Sequence, residues 1–103
     1  MSLVTTSLNA ATTGGPGAVA AFDTPKNIVG MTAVQSDTSG DDATVTLEGS
    51  LDGVNFFEIG SVATSGQAVS VVYSSSFLVA YLRANLRGYS GSVSVTASVA
   101  AHE

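Results

Sequence analysis

From Phe77 to Arg87 the chain alternates with a period of two. Leu78, Ala80, Leu82, Ala84 and Leu86 fall on one side. Phe77, Val79, Tyr81, Arg83, Asn85 and Arg87 fall on the other. Ala and Leu would permit a helix, but a helix repeats every 3.6 residues, roughly, and cannot sort these side chains into two faces. An extended strand can. Any fold for this chain must therefore place a long strand near its C-terminal end.

The same rhythm recurs. In Ala43–Leu51, Val45, Leu47 and Leu51 share one face, and Thr44, Thr46, Glu48 and Ser50 share the other. In Ala68–Tyr73, Val69, Val71 and Tyr73 share a side. In Ser92–Ala100, Val93, Val95, Ala97 and Val99 point inward. Ala18–Asp23 and Asn27–Gln35 read as shorter strands with Pro25 between them. The segments 36–42, 74–76 and 88–91 are rich in Ser, Gly and Asp and read as loops. Asp52-Gly53 predicts a two-residue hairpin turn, because both residues tolerate positive φ. That turn pairs Leu51 with Val54 and Gly49 with Phe56, the aromatic covering the bare glycine backbone. It also sets Glu58 beside Leu47, so the strand must bulge after Phe56 or the pairing must end there.

Met1–Pro16 reads as an extended arm or as a first strand plus loop, with residues 11–17 as a flexible break. The division is therefore 1–17 for this segment and 18–103 for the body. With about seven or eight strands near ten-residue spacing and no convincing helix, the expected fold is all-β: a single antiparallel β-sandwich, jelly-roll-like, with an extended N-terminal arm.

Composition decides what such a body can do. There is no Cys and no Trp, Lys and Arg together number 3, and charged residues make up 11% of the chain. Much of the apolar content is Ala and Val, so the core is thin. Thin cores without disulfides are commonly completed by neighbours, which makes a homo-oligomer the expectation. Three basic residues and a net charge of −5 cannot neutralise a run of phosphates, so no nucleic acid and no membrane surface is expected as a partner. The start of the chain lacks the basic head and compact apolar run of a secretory signal.

Few residues invite chemistry. Asp37, Asp41, Asp42 and Asp52 could gather around Ca²⁺, but their spacing fits no calcium loop and they read as solvated loop acids. His102, next to the last residue, lacks the held geometry that a Ser-His-Asp triad needs, and no Gly-x-Ser-x-Gly elbow is present. Glu48, Glu58 and Asp52 could supply a glycosidase carboxylate pair, which requires a cleft that turn-located acids rarely build. The expectation is a chain that is not an enzyme, with no cofactor and no metal. Arg83 and Arg87 share a face with Tyr81 and Phe77, suited to a carbohydrate or a partner carboxylate, or to an ion pair with Glu48 or Glu58. Phe56 reads as core. Phe57 or Tyr89 reads as an interface anchor. The expected partner surface is Leu3, Val4, Leu8, Phe57, Tyr81, Arg83 and Tyr89.

The runs Thr44–Phe56, Val79–Asn85 and Val93–Ala97 resemble small β-sandwich proteins of tailed-bacteriophage virions, the capsid decoration or cement proteins. That resemblance, over about Ala43–Ala100, implies a non-enzymatic structural subunit, often a homotrimer. It would be made in the host cytoplasm, sit on the outer capsid surface, and tie capsomers of the major capsid protein together. Ser50, Asp52, Gly53, Phe56, Tyr81, Leu82 and Arg83 also resemble the Ser-x-Asp-Gly-x-x-aromatic turn and aromatic-Leu-Arg strand of discoidin-type sandwiches. Phe56 stands where Trp is usual there, and the cysteines are missing. The alternative function is a carbohydrate-binding module of a head fibre or tail, using Tyr81, Arg83, Tyr89 and turn residues. A small tail or baseplate subunit would share the same features.

Overall fold

The computed structural model describes residues 3–35, 42–65, 69–89 and 94–102. The loop acids Asp37 and Asp41, Val93, and most of the expected 36–42 and 88–91 turns lie outside the described residues. So do the side chains of Leu3, Asp42 and Tyr89.

Among the described residues nine strands form: β1 (Leu3–Ala11), β2 (Gly15–Pro16), β3 (Ala20–Lys26), β4 (Ile28–Gln35), β5 (Asp42–Ser50), β6 (Phe57–Ser65), β7 (Ser70–Ser74), β8 (Val79–Tyr89) and β9 (Val95–His102). Every strand pair is antiparallel. The first sheet runs β1-β9-β4-β7; the second runs β2-β8-β5-β6, with β3 also on β8. Because β2 and β3 lie end to end along β8, they act as one interrupted strand, and each sheet is effectively four strands wide. The chain alternates between sheets in the order of a jelly roll, so the expected sandwich class holds.

Alternation builds the core. Val29, Met31 and Ala33 of β4, and Val95, Ala97, Val99 and Ala101 of β9, turn inward from the first sheet. Val45 and Leu47 of β5, and Leu82, Ala84 and Leu86 of β8, meet them from the second. Among the described side chains no aromatic ring is fully buried, and the largest fully buried one is Met31. At one end a hydrogen bond from Thr64 Oγ1 to Gln35 Oε1 (2.6 Å) joins the sheets across the interior.

The N-terminal segment is tied in by one residue. β1 is bulged between Thr6 and Leu8 where it pairs with β9. The extra residue, Ser7, is turned inward and buried. Its hydroxyl donates to the Ala18 carbonyl (2.7 Å) and accepts from the Ala84 amide (2.8 Å). The amide of Ala18 returns to the Ser7 carbonyl, and the Gly17 amide bonds Ala84 on β8. Any Cβ at Gly17 would overlap the Ser7 carbonyl, so only glycine fits this crossing. Residues expected as a flexible break are thus held from Gly15 onward by β8.

Three expectations need correction. The Asp52-Gly53 hairpin is not a two-residue turn: β5 ends at Ser50 and β6 begins at Phe57, with Gly49 opposite Phe57. A bulge does follow Phe56, as expected, and it falls at Ile59, between the Leu47–Gly60 and Glu48–Glu58 pairs. Gly49 is covered by Val79 and Ile59, not by Phe56; a Cβ there would stand 2.5 Å from Val79 Cγ1. This is why Val79 is fully buried although its parity places it with Tyr81. Leu51, read as sharing a face with Val45 and Leu47, and Leu78, read as sharing one with Leu82, Ala84 and Leu86, lie in the connections and are 58% and 53% exposed.

Candidate interaction surface

The second sheet's outer face is closed by its own residues. Thr46, Glu48 and Ser50 of β5 face away from Val45 and Leu47, as expected, yet all three are buried. Register explains it: Glu48 lies opposite Arg83, Thr46 opposite Asn85 and Ser50 opposite Tyr81. Arg83 Nε donates to Glu48 Oε1 at 2.7 Å. Asn85 Nδ2 donates to Glu48 Oε2 at 3.2 Å, and Arg87 Nη1 stands 3.5 Å from the same oxygen. The Arg83 guanidinium stacks over the Phe56 ring, 3.9 Å from its centroid. Phe56 is therefore a lid on the outer face and not core. One carboxylate with several donors satisfies a charge that burial would otherwise penalise.

The 51–56 loop reaches this position because two side chains organise its backbone. The Ser50 hydroxyl accepts from the amides of Asp52 (3.2 Å) and Gly53 (2.9 Å) and donates to Asp52 Oδ1. Asp52 Oδ1 in turn accepts from the amides of Val54 and Asn55, each at 2.8 Å, and Oδ2 accepts from Asn55 Nδ2. Those amide bonds, Asn55's first, hold the Asp52 carboxyl well below the usual carboxylate range. Gly53 takes φ +79°, and a Cβ there would be 3.1 Å from the Tyr81 ring. Tyr81 is consequently half-buried beneath the loop.

At this same end the apolar side chains are left outside. Leu51 and Val54 (78% exposed) flank the loop tip. Phe57 and Phe77 pack together with centroids 5.4 Å apart and are only about one-third exposed, and Leu78 follows. Apart from Phe57, the first residue of β6, these residues belong to the β5–β6 and β7–β8 connections, which meet where Ser50 pairs with Tyr81.

The first sheet's outer face is different again. Val4 on β1 and Val71 and Tyr73 on β7 stand up as ridges, each more than 60% exposed. Between them lies a shallow groove of about 280 Å³, floored by small residues including Gly30, Ser98 and Ala100.

Of the residues expected at a partner surface, Val4 and Phe57 are at the surface. Leu8 is 4% exposed and sits in the core, because the bulge at Ser7 returns it inward. Tyr81 and Arg83 are engaged in the closed face. Leu3 pairs by backbone with Ala101, and Tyr89 with Ala43 at the opposite end of the sandwich, so the seven do not form one surface. Sequence reading missed Leu51, Val54, Tyr73 and Leu78 as surface residues. Large apolar residues inside turn-forming stretches were the available signal. Glu48 and Glu58 are neighbours on adjacent strands and do not face each other across a cleft. Among the described residues no three His, Cys, Asp or Glu converge as metal ligands would.

The chain matches no family profile and no curated protein. Solved structures share its fold. The SPBc2 prophage-derived protein YomS aligns over 98% of this chain and 94% of its own, with TM-score 0.64 and 12% identity. The CBM32 of AlyQ, solved with 4,5-unsaturated mannuronic acid, aligns over 98% and 94%, with TM-score 0.59 and 16% identity. PirA aligns over 99% and 93%, with TM-score 0.52 and 8% identity. At these identities the likeness is one of fold, and it includes both a prophage-derived protein and the discoidin-like sandwich class.

Proposed function

We propose that this chain is a structural subunit of a phage virion, a decoration or cement protein that holds to the head by burying the apolar end of its sandwich. The observation that carries this reading is the exposed group Leu51, Val54, Phe57, Phe77 and Leu78 at one end. A small sandwich with a thin core had every opportunity to fold such residues inward and leaves them out. Exposed apolar groups of this kind mark contact surfaces, and repeated copies on a lattice sum modest contacts into firm holding. The fold shared with a prophage-derived protein agrees with it. The test is attachment to purified heads that lack the protein, scored by co-sedimentation. Leu51→Lys with Val54→Lys should abolish attachment while leaving the fold intact by circular dichroism. Unchanged occupancy would remove the proposal.

A second reading has one observation in its favour. Arg87 keeps its guanidinium 56% exposed beside Glu48, and the fold is shared with a CBM32 solved with an acidic sugar. A binder of uronate chains should lose affinity on Arg87→Ala. Tyr81, beneath Gly53, offers no open stacking platform, which is why the structural reading is preferred.

A further inference from the structure

We propose that the outer face of the first sheet is where two copies of this chain pair, back to back, about a two-fold axis. None of the described residues of β1, β4, β7 and β9 is Asp, Glu, Lys or Arg. The charges lie elsewhere, and the whole chain carries −5. Two identical acidic bodies repel, and the repulsion is least when the surfaces that meet are uncharged. In a two-fold contact each copy presents the same patch, so a face that carries neither sign of charge meets its own copy without like-charge opposition.

Shape points the same way. The face has ridges and a groove: Val71 and Tyr73 project from β7, and Gly30, Thr32, Ser98 and Ala100 leave a depression beside them. In a two-fold pairing each copy's β7 ridge enters the other's groove, the reciprocity that an isologous contact requires. Four strands of about eight residues span roughly 19 by 26 Å, so full overlap would bury about 1,000 Å² in total. That is at the lower limit for a specific interface, about 1,000–1,200 Å². The pair should therefore be weak and concentration-dependent in solution, and reinforced where copies are already gathered on a particle. The paired face is separate from the sandwich end through which attachment is proposed.

Sedimentation equilibrium of the purified protein from micromolar to millimolar concentration tests this. A monomer of 10.3 kDa should give way to a species of twice that mass. The association should strengthen with added salt, because salt screens the mutual repulsion and there are no interfacial ion pairs to weaken. Tyr73→Lys and, separately, Val71→Lys should weaken pairing by about tenfold or more, the loss expected of a central anchor. Both side chains are exposed, so neither change should disturb folding. As a second probe, Val71→Cys in this cysteine-free chain, joined by a short bis-maleimide to Ser98→Cys on a second copy, should give covalent dimers. Leu51→Lys should leave pairing untouched, which separates failure here from failure of virion attachment. Mass that stays monomeric throughout, a trimer, weakening by salt, or pairing indifferent to Tyr73→Lys would each overturn the proposal.

Discussion

The two outer faces of this sandwich solve the same problem in opposite ways. Each is the back of a four-strand sheet whose front supplies half of the core. The second sheet's back carries a glutamate, two arginines and an asparagine, and it is closed by Phe56 and the loop that Ser50 and Asp52 organise. Among the described residues the first sheet's back carries no Asp, Glu, Lys or Arg, and its ridges at Val4, Val71 and Tyr73 stand exposed. The polar face is self-sufficient: its side chains satisfy one another, and there is little left for a partner to gain. The apolar face is the one with free energy still to be released on contact. In a chain with few charges, concentrating them on one sheet leaves the other available for association.

The largest expected effect comes from opening the closed face. Glu48→Ala removes the shared acceptor of Arg83, Asn85 and Arg87. The Arg83 side chain is 24% exposed, so its loss is partly screened, and Arg87 contributes little. Removing one partner of a mostly buried pair should still cost about 2–3 kcal/mol of unfolding free energy. Glu48→Gln keeps an acceptor for Arg83 and should cost about half as much. Urea denaturation at low protein concentration measures both. A Glu48→Ala variant within about 0.5 kcal/mol of the parent would show that the closed face is not integral.

A smaller effect belongs to the loop that closes it. The Asp52 carboxyl is held below its unfolded value by amide hydrogen bonds. A group with a depressed folded pKa contributes stability that is complete above the unfolded value, near 4 for Asp, and is lost as pH falls towards the folded one. Stability should therefore decline with acidification below about pH 4, and Asp52→Asn should flatten that decline. Unfolding midpoints measured from pH 5 to pH 2 check it. Parallel slopes for parent and variant would mean that the loop does not sense Asp52.

This loop also shows where sequence reading stops. Period two reveals which residues share a face, and it did so for β9 and for β8 from Tyr81 to Leu86. It does not reveal which face is inside. Val69, Val71 and Tyr73 share a side as expected, but that side is outward, because β7 is an edge strand and Val72 packs inward. Thr46, Glu48 and Ser50 look like a solvent face until Arg83 and Phe56 are brought over them by pairing with β8 and by a loop thirty residues earlier in the chain. Asp52-Gly53 suggested the shortest hairpin, and nothing in the dipeptide shows that the Ser50 hydroxyl and Asp52 carboxylate will capture four amides and lengthen the turn. The exposed apolar residues were legible only in part: Val4 and Phe57 could be named, whereas Leu8 could not be known as core without the Ser7 bulge.

The smallest stability effect should come from the open face, and its smallness is the point. Val71 is 63% exposed on a strand of five residues. Replacing it with lysine removes little buried area and places a charge in water, so the isolated domain should change by less than about 0.5 kcal/mol. The parent, if it pairs through this face, should melt at higher temperature as its concentration rises, because association stabilises whatever it binds. Val71→Lys should match the parent when dilute and fall behind when concentrated. Scanning calorimetry at two concentrations a hundredfold apart distinguishes the cases. Equal melting at both concentrations for both proteins would leave the two faces differing in chemistry but not in use; a dilute Val71→Lys that melts well below the parent would mean that this side chain supports the sandwich itself, and that the uncovered face is part of the fold's own stability.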